Sequence, residues 1–113
     1  MRNKVTPTPY FERKYKRFSK KFPSLSSELE DLEQELLSNP KLGEPLGANL
    51  YKIRLASQDK GKGKSGGFRV ITYLVQELKD SYEIFLITII DKSEESTISK
   101  AALLLLVKKI FED

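Results

Sequence analysis

The stretch Tyr82 to Asp91 carries Ile84, Phe85, Leu86, Ile87, Ile89 and Ile90, which occupy both parities of a strand. Side chains alternate across a strand, so a segment apolar on both faces belongs in the middle of a sheet that is covered on each side. Two earlier stretches supply strand neighbours. Tyr51, Ile53 and Leu55 alternate with Lys52 and Arg54, and Phe68, Val70, Thr72 and Leu74 alternate with Arg69, Ile71, Tyr73 and Val75. Between them lies a loop holding Lys60, Lys62, Lys64, Gly66 and Gly67, so the pair reads as a hairpin. If Phe68 and the row Tyr51, Ile53 and Leu55 face the rest of the fold, Lys52, Arg54, Arg69 and Tyr73 share the other face. With symmetric closure Arg54 and Arg69 become cross-strand neighbours, an unfavourable pairing of like charges unless an anion sits between them.

Helical patterns precede these strands. Phe11, Tyr15, Phe18 and Phe22 recur at helical spacing, with Arg13, Lys14, Lys16, Arg17, Lys20 and Lys21 around the rest of the wheel. After Pro23, Leu25, Leu29, Leu32 and Leu36 repeat that spacing; Ser24 or Ser27 is a candidate cap, the latter with Glu30 as a capping-box partner. Asn39 and Pro40 end this second helix. Val5 to Tyr10 reads as a short strand that Pro7 and Pro9 confine to an edge. Lys41 to Asn49, with Gly43, Pro45 and Gly47, reads as a connecting loop. The tail from Ile98 to Phe111 is helical, and the run Leu103 to Val107 exceeds what one buried stripe needs, so part of it either packs inward or meets a partner. The expected fold is α+β: a small antiparallel sheet of about four strands packed against an N-terminal helical hairpin, with a C-terminal helix.

At 113 residues the chain fits one domain, 1–113. It has no cysteine, which removes disulfides and thiolate zinc sites and suits a reducing cytoplasm. The N-terminus lacks the apolar run of a secretory signal, and the longest apolar run is far shorter than the roughly 20 residues a membrane helix needs. A cytoplasmic protein without membrane contact is therefore expected. The net charge of +4 is segregated. Met1 to Phe22 holds eight Lys or Arg against one Glu, Pro23 to Pro40 five acids and no base, and Lys41 to Val70 seven bases against two acids.

With no His and no Cys, and with its acids spread along a helix surface, the chain offers poor support for metal catalysis or a nucleophilic relay, and no cofactor is expected. Phosphate chemistry by Lys, Arg and Tyr remains. RNA carries its own nucleophile in the 2′-hydroxyl, so a cationic site need only align it, neutralise charge on the pentavalent phosphate and protonate the leaving oxygen. The same residues could instead form an exposed cationic edge that discourages aggregation.

The order of strand, two helices, YKIRLA, the KGKGKSGGFRVITY hairpin, an apolar strand ending in IIDKSEES and a final helix resembles the RelE/ParE toxin superfamily, and the hairpin wording is similar to its RelE and HigB branch. The resemblance implies the toxin of a bacterial toxin–antitoxin pair, an endoribonuclease that cuts mRNA on the ribosome without a metal and assembles with its antitoxin. Carried onto this chain, it implies a catalytic set of Arg54, Arg69 and Lys92. Tyr73 is added as a candidate acid or base, with Lys52, Lys60, Lys62 and Lys64 as RNA contacts. The chain departs from the family at Asp91, Lys92 and Ser93, where Arg or His is frequent, and at Ile98, where a Tyr is expected nearby; Tyr73 or Glu94 would have to substitute. The alternative is the ParE branch, which binds and poisons DNA gyrase without cutting RNA.

Overall fold

The computed structural model describes residues 2–60, 67–94 and 98–112. Its elements run β1 (Lys4–Pro7), α1 (Pro9–Lys21), α2 (Leu25–Ser38), β2 (Glu44–Gly47), β3 (Leu50–Leu55), β4 (Phe68–Leu78), β5 (Ser81–Asp91) and α3 (Lys100–Phe111), with a 3-10 turn at Gln58–Lys60. Five strands form one sheet in the order β1-β5-β4-β3-β2. The expected strand count of about four is thus one short, and the sheet is mixed: β1 runs parallel to β5, while every other pairing is antiparallel.

The extra strand lies inside the expected loop. β2 turns into β3 through Ala48 and Asn49, both with positive φ (54° and 65°), the backbone of a tight hairpin turn whose hand matches sheet twist. At the other edge β1 is shorter than expected. Thr8 caps α1, accepting from Phe11 N at 3.2 Å, and Pro9 occupies the first helical turn, where its missing N–H costs nothing. Thr8 Oγ1 also donates to Leu86 O at 2.8 Å, which ties the start of α1 to β5.

The capping box expected at α2 does not form. Ser24 N donates to Asp59 Oδ2 at 2.7 Å and Ser24 Oγ accepts from Asp59 N at 3.2 Å, while Glu28 Oε2 accepts from Gln58 N at 2.7 Å. The serine is therefore used to hold the 3-10 turn after β3 against α2.

Both faces of the sheet are covered, as the apolar β5 demands. On one face Phe11 and Phe18 of α1 and Leu25 and Leu36 of α2 pack on Phe68, Val70, Ile84 and Leu86. Each fully buried side chain there contributes about 1.5–3 kcal/mol. On the other face α3 rests Leu103 and Val107 on Leu50, Ile71, Ile87 and Ile90. It leaves Leu105 exposed at 68%. Within the described residues no helix is long and apolar enough to cross a membrane.

Gly67, at the entry to β4, sits so close to β3 that an added Cβ would run into the Leu55 carbonyl oxygen and lie 3.2 Å from Ala56 Cα. Gly67→Ala is expected to lower stability by about 1–3 kcal/mol through backbone displacement, read as a fall in melting temperature with the far-UV spectrum unchanged.

Candidate functional site: a cationic pocket beside α3

The register of β3 and β4 pairs Leu55 with Phe68 and Arg54 with Arg69. Strand parity then sends Phe68, Val70 and Leu74 under α1 and α2, and Arg69 and Ile71 to the face of α3. The helix does not reach across this whole face. Where it stops, a cavity of about 210 Å³ opens, floored by Ile71 and Ile90, walled by Leu46, Ile98 and Leu103, and lined by Lys52, Arg54, Arg69, Lys92 and Lys100. No acidic residue lines it among the described residues.

Arg69 is buried, and its Nη1 donates to Phe68 O at 3.2 Å. Loss of solvent and then the neighbouring Arg54 guanidinium push its pKa below the ordinary arginine value. An anion between the two guanidinium groups would offset both effects. Lys52 is partly tethered to the exposed Glu44, its register partner, at 3.4 Å.

Lys92 follows β5 directly, and its N–H donates to Gly67 O at 3.4 Å. Asp91 shapes the turn that presents it: Oδ1 accepts from Ser93 N at 2.9 Å and from Ser93 Oγ at 2.8 Å. The same oxygen accepts from Lys60 Nζ, in an ion pair whose side chains are 8% and 2% exposed. The Lys60 ammonium also lies over Phe22 and Phe68, 5.1 and 4.9 Å from their ring centres.

Four expected site residues, Lys52, Arg54, Arg69 and Lys92, are brought to one pocket. Lys60 is not. The sequence places it on a basic loop as an RNA contact, but a buried carboxylate and two aromatic rings draw it to the opposite side of the sheet. Lys62 and Lys64 lie outside the described residues. Tyr73 has the expected facing but not the place: it is four residues along β4 from Arg69, about 13 Å at strand rise, and its ring packs 5.6 Å from Phe111 under α3. Glu94 is held by Arg17 through two hydrogen bonds of 3.0 and 3.2 Å, which outweigh the opposing effects and hold its carboxyl below the usual value. Neither lines the pocket. Lys100 is a lining residue that sequence reasoning overlooked. A signal was present, because a lysine in the first turn of a helix opposes the helix dipole, and that turn of α3 holds no acid.

No known protein-family profile matches the sequence. Among solved structures, the E. coli toxin RelE, determined in the free state as a double arginine-to-alanine mutant, superposes with a TM-score of 0.59. The match covers 98% of this chain and 100% of that one at 18% sequence identity.

The fold is RelE-like. It is an α+β fold in which a RelE-like sheet carries the pocket on the α3 side and the helical hairpin on the other.

Desolvation raises the Asp91 pKa, but hydrogen bonds from Lys60 and Ser93 outweigh it and hold the carboxyl below its ordinary value. A depressed folded pKa gives stability that is complete above the unfolded value and is lost as pH falls through the folded one. Unfolding free energy from urea titrations should therefore drop on acidification below about pH 4. Asp91→Ala should lack that acid-dependent component and be less stable at pH 7 by about 3–5 kcal/mol, since Lys60 is left buried without its counter-charge.

Proposed function

We propose that the chain is the toxin of a bacterial toxin–antitoxin pair and a metal-independent endoribonuclease of the mRNA interferase type, acting on mRNA at the ribosome in the cytoplasm. The observation that carries this reading is the convergence of Lys52, Arg54, Arg69 and Lys92 on one pocket with no acid among its described lining residues. A RelE-like fold supports it.

The chemistry follows from the donor types. Arg54 and Arg69 offer guanidinium forks to the scissile phosphate, and Lys52 and Lys92 add point charges around it. As the RNA 2′-hydroxyl oxygen attacks phosphorus it loses its proton to water, the bond to the 5′-oxygen breaks and that oxygen takes a proton from solvent. Negative charge grows meanwhile on the non-bridging oxygens, and preformed cations in a partly desolvated pocket stabilise that charge more than the ground state. Strand cleavage leaves a cyclic phosphate on one fragment and a 5′-hydroxyl on the other. The described lining holds no carboxylate or tyrosine to act as a general base, so catalysis here rests on charge neutralisation and in-line positioning. A ribosome that holds the message in a fixed conformation would supply part of that positioning. The partner that restrains such a protein is an antitoxin with an acidic or apolar segment, forming a hetero-oligomer over the basic face or the leucines of α3.

The lack of a carboxylate or tyrosine in the described lining also fits a second reading, a ParE-like protein that binds without cutting. Translation in a cell-free extract, with message ends mapped, separates the two. Cleavage of translated message is expected; intact message on toxin-bound ribosomes overturns the nuclease reading, and gyrase-dependent DNA breaks in its place support the ParE-like one.

Arg69→Ala should reduce cleavage by about 10²–10³-fold, the usual loss for one transition-state donor. Its far-UV spectrum should match that of the wild type and its melting temperature should fall only slightly, because relief of the repulsion from Arg54, about 0.2–1 kcal/mol, offsets part of the lost packing and the lost hydrogen bond to Phe68 O.

A further inference from the structure

Five cations line the pocket, and their spread exceeds what one phosphate can use. The lining runs from Leu46 on β2 through β3 and β4 to Ile90 and Lys92 at β5. Three strand spacings of about 4.8 Å make a span of roughly 14 Å. A phosphate oxygen accepts from donors at about 3 Å, so cations at the two ends of that span serve different groups.

Lys100 occupies the β2 end. It comes from the first turn of α3, and its side chain passes over the turn between β2 and β3. At Gly47, with φ of 89°, an added Cβ would lie 2.6 Å from Lys100 Nζ and 3.4 Å from Cε. With glycine at this position no side chain stands between the turn and the ammonium. Among the described residues Lys100 pairs with no carboxylate, and the positive end of the α3 dipole lies beneath it. The helix end and the neighbouring cations of the pocket both disfavour the charge of this exposed residue, and an anion beside it offsets both.

We propose that Lys100, seated on Gly47, binds a second backbone phosphate of an RNA strand, next to the phosphate held by Arg54 and Arg69. This rests on the reading of the pocket as an RNA site. The strand crosses the sheet face from the Lys92 end to the Lys100 end, and Lys52 stands between the two phosphates. Substrates are then polyanions with at least two consecutive phosphates, in preference to a mononucleotide.

The test titrates the full-length protein with a fluorescent RNA oligonucleotide carrying 2′-O-methyl groups throughout, which resists cleavage, at a series of salt concentrations. Each phosphate contact to a single strand contributes about 0.7 to the slope of log affinity against log salt. Lys100→Gln should lower the slope magnitude by about 0.7, and Lys100→Arg should restore it. Lys108→Gln, the same charge change on the exposed end of α3, should leave the slope at the wild-type value. A Lys100→Gln slope equal to wild type, with Arg54→Gln lowered, overturns the second phosphate site and leaves the RNA-site reading standing. A wild-type slope near zero, or one that Arg54→Gln does not change, overturns both.

Discussion

Two arginines set face to face across β3 and β4 govern this molecule. The register that seals Leu55 against Phe68 under the helical hairpin also brings Arg54 opposite Arg69 on the other side of the sheet. The two outcomes cannot be separated, because a one-residue slip would move every side chain of a strand to the wrong face. Apolar packing on one side thus holds a cationic pair together on the other. The free energy of the core supports a charge arrangement that would disperse if left to itself.

That arrangement is exposed because α3 covers only part of its face. Leu103 and Val107 seal Leu50, Ile71, Ile87 and Ile90, and beyond Leu103 the sheet is left to the cations. On the opposite side the ends of the strands are fastened by ionic and polar contacts: Lys60 to Asp91, Arg17 to Glu94, and Asp59 to Ser24. Asp91 belongs to both regions. It neutralises a lysine beneath the sheet and folds the turn that presents Lys92 above it.

Much of this was legible in the sequence. The doubly apolar parity of β5 demanded cover on both faces, and the alternation in β3 and β4 gave the facing of Lys52, Arg54 and Arg69 correctly. The helical spacing of Phe11, Tyr15, Phe18 and Phe22 marked α1. What escaped is tertiary in origin. β2 is four residues of mostly turn-forming composition, and only pairing with β3 makes it a strand. Lys60 has the composition of a solvated loop around it, and its partner lies 31 residues away. The facing of Tyr73 followed from parity, but how far α3 extends along the face did not, and the ring ended among core residues.

The parallel pairing of β1 with β5 sets a clock on biosynthesis. Lys4 to Pro7 leave the ribosome early, yet the strand they join is Glu83 to Leu86, and Thr8 completes its bond to Leu86 only then. Such distant pairing slows folding, and it delays closure of the sheet edge until β5 has been made. A nascent chain truncated before Leu86 lacks the seat for β1 and the start of α1, so a cell translating this message meets the assembled sheet only after β5 has emerged.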